Sequence, residues 1–451
     1  MSKTLLQHKW LIVFFTFSAS FLMYFSIKNA QLGILSHTNA YLIEKAMLIR
    51  LTGHFELAGF VYPPIPFLFA MLYPNVLFFA ATGTVLWSLL ATFLVRDIGF
   101  LTINMPVKIM ILLVTLFNPY AINLALYNTA NVLGLLLIYL SWNSFQVYMK
   151  KSLSFHAMIS GIFLGIASFS IPIAIYFALI FPLYYAITKT LKQWQESLAI
   201  SFMIAFPALS AIAIWGYVSW LFTGHPVWGY PSILENHLSF EIPLATLPVF
   251  FATSIILLVS RLYRLLAVQM FPLIFLFFLK NNLGSTVLAA GFILLFSLIH
   301  LPRFIPRWGK TILVFAIITQ AILSLQTKQI KTNWDPKLSK ATQVEAATAH
   351  LLAHAPKNSI LTDDRATYSL IARTGTASPY LLPSSIYFTE IAARPANYVL
   401  YVLLSNENGN GLLDRYIEHP PKGMILDAHF SHYTLYRKDA APPLLYQWIT
   451  P

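Results

Sequence analysis

Apolar runs long enough to cross a bilayer recur through residues 1–327. That pattern constrains the fold more than any other feature of the chain. A spanning helix needs about 20 consecutive, mainly apolar residues. Runs of this kind sit near 10–27, 76–95, 107–122, 130–147, 156–171, 172–188, 197–221, 244–260, 265–280, 285–300 and 311–326. The chain is 58% hydrophobic and 10% charged, a balance that excludes an ordinary soluble domain. The expected fold is an all-α polytopic membrane protein of about eleven helices. The first run follows a basic start, as a secretory signal would, but its core is long and no small-x-small site closes it. It reads as a retained helix.

The basic residues orient these helices through the positive-inside rule. With the N-terminus cytoplasmic, thirteen Lys and Arg between Lys3 and Lys310 fall in inner loops. Only Lys28, Lys45, Arg50 and Lys280 fall in outer loops before the tail. The count favours an odd number of spans, with the C-terminal tail outside. It also accounts for much of the formal charge of +13, so a nucleic-acid partner is a poor reading of the basic balance. There is no cysteine and no Asn-x-Ser/Thr sequon, although a large outer domain would expose one. Both absences lean toward a bacterial inner (plasma) membrane.

Composition shifts at Gln326-Thr327-Lys328, and residues 328–451 carry ten of the sixteen acids. Helical spacing covers Thr342–His354, and Ser359–Leu361 reads as a short strand ending at Asp363-Asp364. Ala366–Arg373 reads as a helix closed by Gly375. Tyr398–Leu404 is expected as a strand buried on both faces, with Met424–Leu426 and Tyr433–Tyr436 as two more. A small extracytoplasmic α/β domain follows from this alternation. Asp363-Asp364 stand where α/β folds often hold ligands. Their plainer role is a turn and helix N-cap, with Asp364 satisfying amides of the next helix. The pairs His350/His354 and His429/His432 have helical or loop spacing without a third ligand, which suits solvated surface better than metal.

The membrane region, 1–327, holds only six carboxylates. Asp97 and Glu196 fall on the cytoplasmic side, whereas Glu44, Glu56, Glu235 and Glu241 fall in two outer loops, about 28–66 and 221–243. Charges are costly in a bilayer, so acids gathered in outer loops mark a candidate site. Asn39–Gly53 has helical periodicity that fits a helix lying on the membrane surface, ended by Gly53. Tyr62-Pro63-Pro64-Ile65-Pro66 cannot be regular helix and reads as a rigid approach to the second span.

This arrangement resembles the integral-membrane glycosyltransferases of the GT-C superfamily. The likeness lies in a first helix, a polar outer segment, a Gly, and then Tyr62-Pro63-Pro64 leading into the next span. Asn118-Pro119 with Asn128 and Asn131 is similar to the outer end of the family's third and fourth spans. The stretch 160–167 (SGIFLGIA) resembles a Gly-containing family helix, and 220–226 (WLFTGHP) its outer loop. The resemblance implies sugar transfer from a polyprenyl-phosphate-linked donor to a glycan, lipid or protein acceptor, with inversion. It also implies a catalytic acid in the first outer loop, but the matching stretch, Ser36-His37-Thr38-Asn39, has none. His225 likewise stands where the family often has Asp.

The base candidates are therefore Glu44, Glu56 and His37, since one carboxylate or imidazole in reach of the acceptor hydroxyl suffices. Lys45 and Arg50 are candidates to steady a leaving phosphate. Tyr62, His54, His225, Glu235 and His237 could add donors or hold a divalent metal such as Mg or Mn. Each has a plainer reading as a solvated or snorkelling side chain. A non-catalytic relative acting in binding or assembly is an alternative, kept open by the missing acid. A lipid-linked sugar transporter is a poorer one, because charges are almost absent from the spans.

Overall fold

The computed structural model describes residues 3–31, 34–58, 64–171, 174–188, 194–224, 243–263, 265–266, 269–270, 286–302, 305–326, 336–406, 413, 416 and 419–443. The helices are α1 (Lys3–Gln31), α2 (His37–Thr52), α3 (Pro64–Leu72), α4 (Val76–Gly99), α5 (Met105–Leu116) and α6 (Pro119–Tyr127). Then come α7 (Thr129–Lys151), α8 (Ser154–Ser168), α9 (Ala174–Thr188), α10 (Trp194–Thr223) and α11 (Leu247–Val259). The series ends with α12 (Thr286–Ile299), α13 (Arg307–Leu325), α14 (Pro336–Leu352), α15 (Asp364–Thr374) and α16 (Phe388–Ala393). The protein is a multi-pass membrane protein. Helices α1, α4, α7, α10 and α13 are long and apolar enough to cross a bilayer.

Ten of the eleven expected runs fall on these helices, while the run at 265–280 lies almost wholly outside the described residues. One expectation needs correction. The run at 107–122 is not one straight span, because Asn118 caps α6 and Pro119 opens it, leaving a 53° bend between α5 and α6. The described parts of four others, at 156–171, 172–188, 244–260 and 285–300, form apolar helices of 10–17 residues.

The chain divides into two compact units, one of residues 1–26, 60–66 and 80–331, the other of 27–59, 67–79 and 332–451. The first unit is built around α7, the most buried of the long apolar helices. Trp142 and Phe145 of α7 pack on Phe181 of α9, with ring centroids 5.2 and 5.4 Å apart. The Gly-containing stretch of α8 lies against α10. A Cβ on Gly161 would stand 2.5 Å from the Met203 carbonyl oxygen, and one on Gly165 would stand 3.0 Å from that of Pro207. Small residues let membrane helices approach this closely. Gly161→Ala is therefore expected to cost about 1–3 kcal/mol, because backbone cannot yield as a side chain can. Thermal unfolding in detergent would measure it, with Gly99→Ala as the neutral control, since Gly99 has nothing within 4 Å of its Cβ position.

The second unit carries a five-stranded sheet of β1 (Ile360–Leu361), β2 (Tyr380–Leu381), β3 (Tyr401–Ser405), β4 (Met424–Phe430) and β5 (Tyr433–Lys438). The order is β2-β1-β3-β5-β4. Strands β2, β1 and β3 run parallel, and β5 and β4 add an antiparallel hairpin with a bulge at Leu426/Ala428. The expected α/β domain is present. Its strand expected at 398–404 starts only at Tyr401, because Pro395–Asn397 forms a 3₁₀ turn just before it. Every residue of β3 is buried, as a central strand requires. Leu403, 0% exposed, pairs with Leu435 of β5. Leu403→Ala is expected to cost about 2–5 kcal/mol, read as faster amide exchange across β3 and β5 in the full chain.

Two first-loop expectations also change. Pro64 begins α3 rather than belonging to a non-helical approach, since a first-turn proline needs no N–H partner there. Helix α2 is not a surface helix with one wet face. Ala40, Ile43, Glu44 and Ala46 are each 0% exposed, and a helix apolar on most sides is a buried one.

Candidate active site

The local sequence fixes α2 at both ends. The Ser36 hydroxyl accepts the Asn39 amide at 3.2 Å, which makes Ser36 the N-cap. Gly53, at φ 77°, closes the helix by donating to the Ile49 carbonyl at 2.7 Å. Between them the helix packs on α15, which belongs to the same unit.

Helix α15 starts where β1 ends. Asp363, not Asp364, is its N-cap, with a side chain that accepts the Arg365 amide at 3.1 Å. The expectation that Asp364 satisfies these amides is thus corrected. Asp364 occupies the first helical position instead, and its carboxylate takes a hydrogen bond and an ion pair from the Lys45 ammonium of α2. The same ammonium lies 3.4 Å from Oε2 of Glu44. It also lies 5.3 Å from the Tyr41 ring, which meets Tyr368 of α15 edge-on at 6.1 Å.

Glu44 is 0% exposed, and neither of its oxygens has a hydrogen-bond partner. Burial, opposed by the Lys45 charge and reinforced by Asp364, pushes its carboxyl up to about 8. Burial works against the Lys45 charge, but Glu44 and Asp364 together outweigh it and hold the ammonium above its usual range. Burial likewise pushes the Tyr41 phenol up to about 12. Glu44 and Lys45 are therefore brought together, with Asp364 as a third member that the sequence left as a capping residue. A group titrating near neutral pH in this setting is suited to proton transfer.

The other candidates are placed less closely. Arg50 is exposed in the last turn of α2, and His54 is exposed just beyond Gly53, its amide donating to the Thr52 hydroxyl at 3.2 Å. His37 opens α2 and Glu56 sits in a 3₁₀ turn, Phe55–Ala58, but the side chains of both lie outside the description. Tyr62, His225, Glu235, Glu241 and His237 lie outside the described residues. Among the described residues, no group of three or more His, Cys, Asp or Glu could hold a metal. Glu44 and Asp364 do converge, but the Lys45 ammonium stands against both carboxylates. That donor set does not suit a divalent cation. The tilted rings of His350 and His354 lie with centroids 4.9 Å apart on an exposed face, and His429 bonds Thr434 at 2.9 Å.

The chain thus combines a membrane unit of apolar helices with a small α/β sheet near the C-terminus. The crystal structure of ArnT from Cupriavidus metallidurans bound to undecaprenyl phosphate is similar to this chain. The similarity covers 96% of this chain and 99% of that one, with a TM-score of 0.58 and 12% sequence identity. At that identity the similarity is one of fold. No family model matches the sequence, and no curated protein matches it.

Proposed function

We propose that the protein is an inverting glycosyltransferase that moves a sugar from a polyprenyl-phosphate-linked donor to a glycan, lipid or protein acceptor. The reaction takes place on the extracytoplasmic face of a bacterial inner membrane, with the N-terminus cytoplasmic and the C-terminal sheet outside. The observation that carries this reading is the similarity, over nearly the whole chain, to ArnT bound to undecaprenyl phosphate. The pairing of Glu44 with Lys45 in the first outer loop adds to it.

In this reading the acceptor hydroxyl oxygen attacks the anomeric carbon while its proton passes to Glu44. The bond from that carbon to the phosphate oxygen breaks, and the phosphate leaves with the electron pair. One displacement inverts the centre and needs no covalent sugar–protein intermediate. Lys45 and Arg50 offer cations to the leaving phosphate. Glu56 and His37 remain alternative bases, and Tyr62, His54, His225, Glu235 and His237 further contacts. Glu44 accepts a proton only once ionised, so transfer is expected to rise with pH through about 8.

Native mass spectrometry of the full chain in nanodiscs tests the first step. Undecaprenyl phosphate should bind in preference to phosphatidylglycerol, and an equal affinity for both would remove the basis of the proposal. A second reading has its own observation. Lys45 is already paired with Asp364, and Glu44 is fully buried, as in a structural staple. Under that reading the protein is a non-catalytic GT-C-like binding or assembly protein, and Glu44→Gln leaves its function intact.

A further inference from the structure

The ion-pair cluster on α2 and α15 holds one ammonium and two carboxylates, and its stoichiometry has a chemical consequence. Asp363 does the capping of α15, so the Asp364 carboxylate is free for Lys45 and bonds it directly. Glu44 is left at 3.4 Å from that ammonium, with no hydrogen bond to either oxygen. Tyr41 on α2 lies beside the same ammonium, and Arg365 and Tyr368 on α15 lie near Tyr41. The side chain of Glu56, in the adjoining 3₁₀ turn, lies outside the description. A single ammonium cannot fully neutralise both Asp364, whose side chain is 14% exposed, and the fully buried Glu44, and an unpaired buried charge is costly.

We infer that Asp364 is a positioning residue of this site: by taking the hydrogen bond of the Lys45 ammonium it leaves Glu44 only a longer and weaker ion pair, so that Glu44 is the carboxylate that binds and releases a proton. The role of that proton in transfer rests on the reading under Proposed function, but the inference about its location does not. Carboxyl infrared spectra of the full chain in nanodiscs, recorded across a pH series, test it. The wild type should show a protonated carboxyl band that titrates near 8 and is missing in Glu44→Gln. In Asp364→Asn the midpoint should fall by about one pH unit or more, because Lys45 is released to Glu44 and a neighbouring negative charge is gone. Asp364→Glu, which keeps the charge, should restore the wild-type midpoint. An unchanged midpoint in Asp364→Asn overturns the inference. So does a wild type with no such band at neutral pH, a measurement that needs no variant to fold. The acid limb of the transfer rate should move down by the same amount in Asp364→Asn. If the band shifts as stated but no variant, the wild type included, transfers sugar, the inference stands and the proposed reaction fails.

Discussion

Glu44→Gln is expected to lower sugar transfer by about 10²–10⁴-fold, the usual contribution of a positioned base. The same variant should change how stability depends on pH. The Glu44 carboxyl titrates at about 8 in the folded protein against an ordinary 4.5. Between those values the folded state holds a proton that the unfolded state has released. Stability therefore falls as pH rises through that window, by roughly 1.4 kcal/mol per pH unit for one such group, and levels off above it. In Glu44→Gln this slope disappears. The slope is the quantity to compare, because a buried Gln amide brings its own unsatisfied donors and shifts absolute stability. Thermal unfolding from about pH 5 to 9 reads the slope, and transfer from a panel of undecaprenyl-phosphate sugars reads the activity. Full transfer by the variant, at wild-type expression, would remove Glu44 from the chemistry.

Lys45→Met should be the most destabilising change in this region. It strips the cation from two carboxylates whose side chains are 0% and 14% exposed, and breaking a buried pair from one side costs about 3–5 kcal/mol. Lys45→Met combined with Asp364→Leu should recover much of that loss, because the uncompensated Asp364 charge goes with it. The single and double variants, followed by thermal unfolding, measure the coupling. Undecaprenyl phosphate binding separates the two readings of this lysine. If Lys45 is only a staple, the refolded double variant binds the lipid as the wild type does. If it also meets the phosphate, binding stays weak after stability has returned.

The sequence made the membrane helices legible because length and hydropathy act locally, and α1, α4, α7, α10 and α13 fall where the apolar runs sit. The bend at Asn118-Pro119 was written in a capping residue followed by proline, a signal that a window average smooths away. Strand β2, only two residues long, carried too little pattern to be seen. At the site, Glu44 and Lys45 stood out because acids and bases are scarce in the first 327 residues. Asp364 did not, since one feature, acids at the end of a strand, serves both a cap and an ion pair. Only the packing of α15 on α2 separates those roles. The depth of α2 was hidden for a related reason. The periodicity of Asn39–Gly53 suits a helix lying on the membrane surface, and the burial of Glu44 depends on neighbours far away in the chain.

Lys45 and Asp364 are 319 residues apart, and that separation sets an order of assembly. During synthesis α2 leaves the ribosome early, with an acid and a lysine that fit poorly in lipid and have no counterpart yet made. Their partner is encoded in the last quarter of the chain. The pair can close only after α15 has been made, so a long loop must be closed before these contacts contribute any stability. A chain cut short before α15 keeps its apolar helices but never completes this pair.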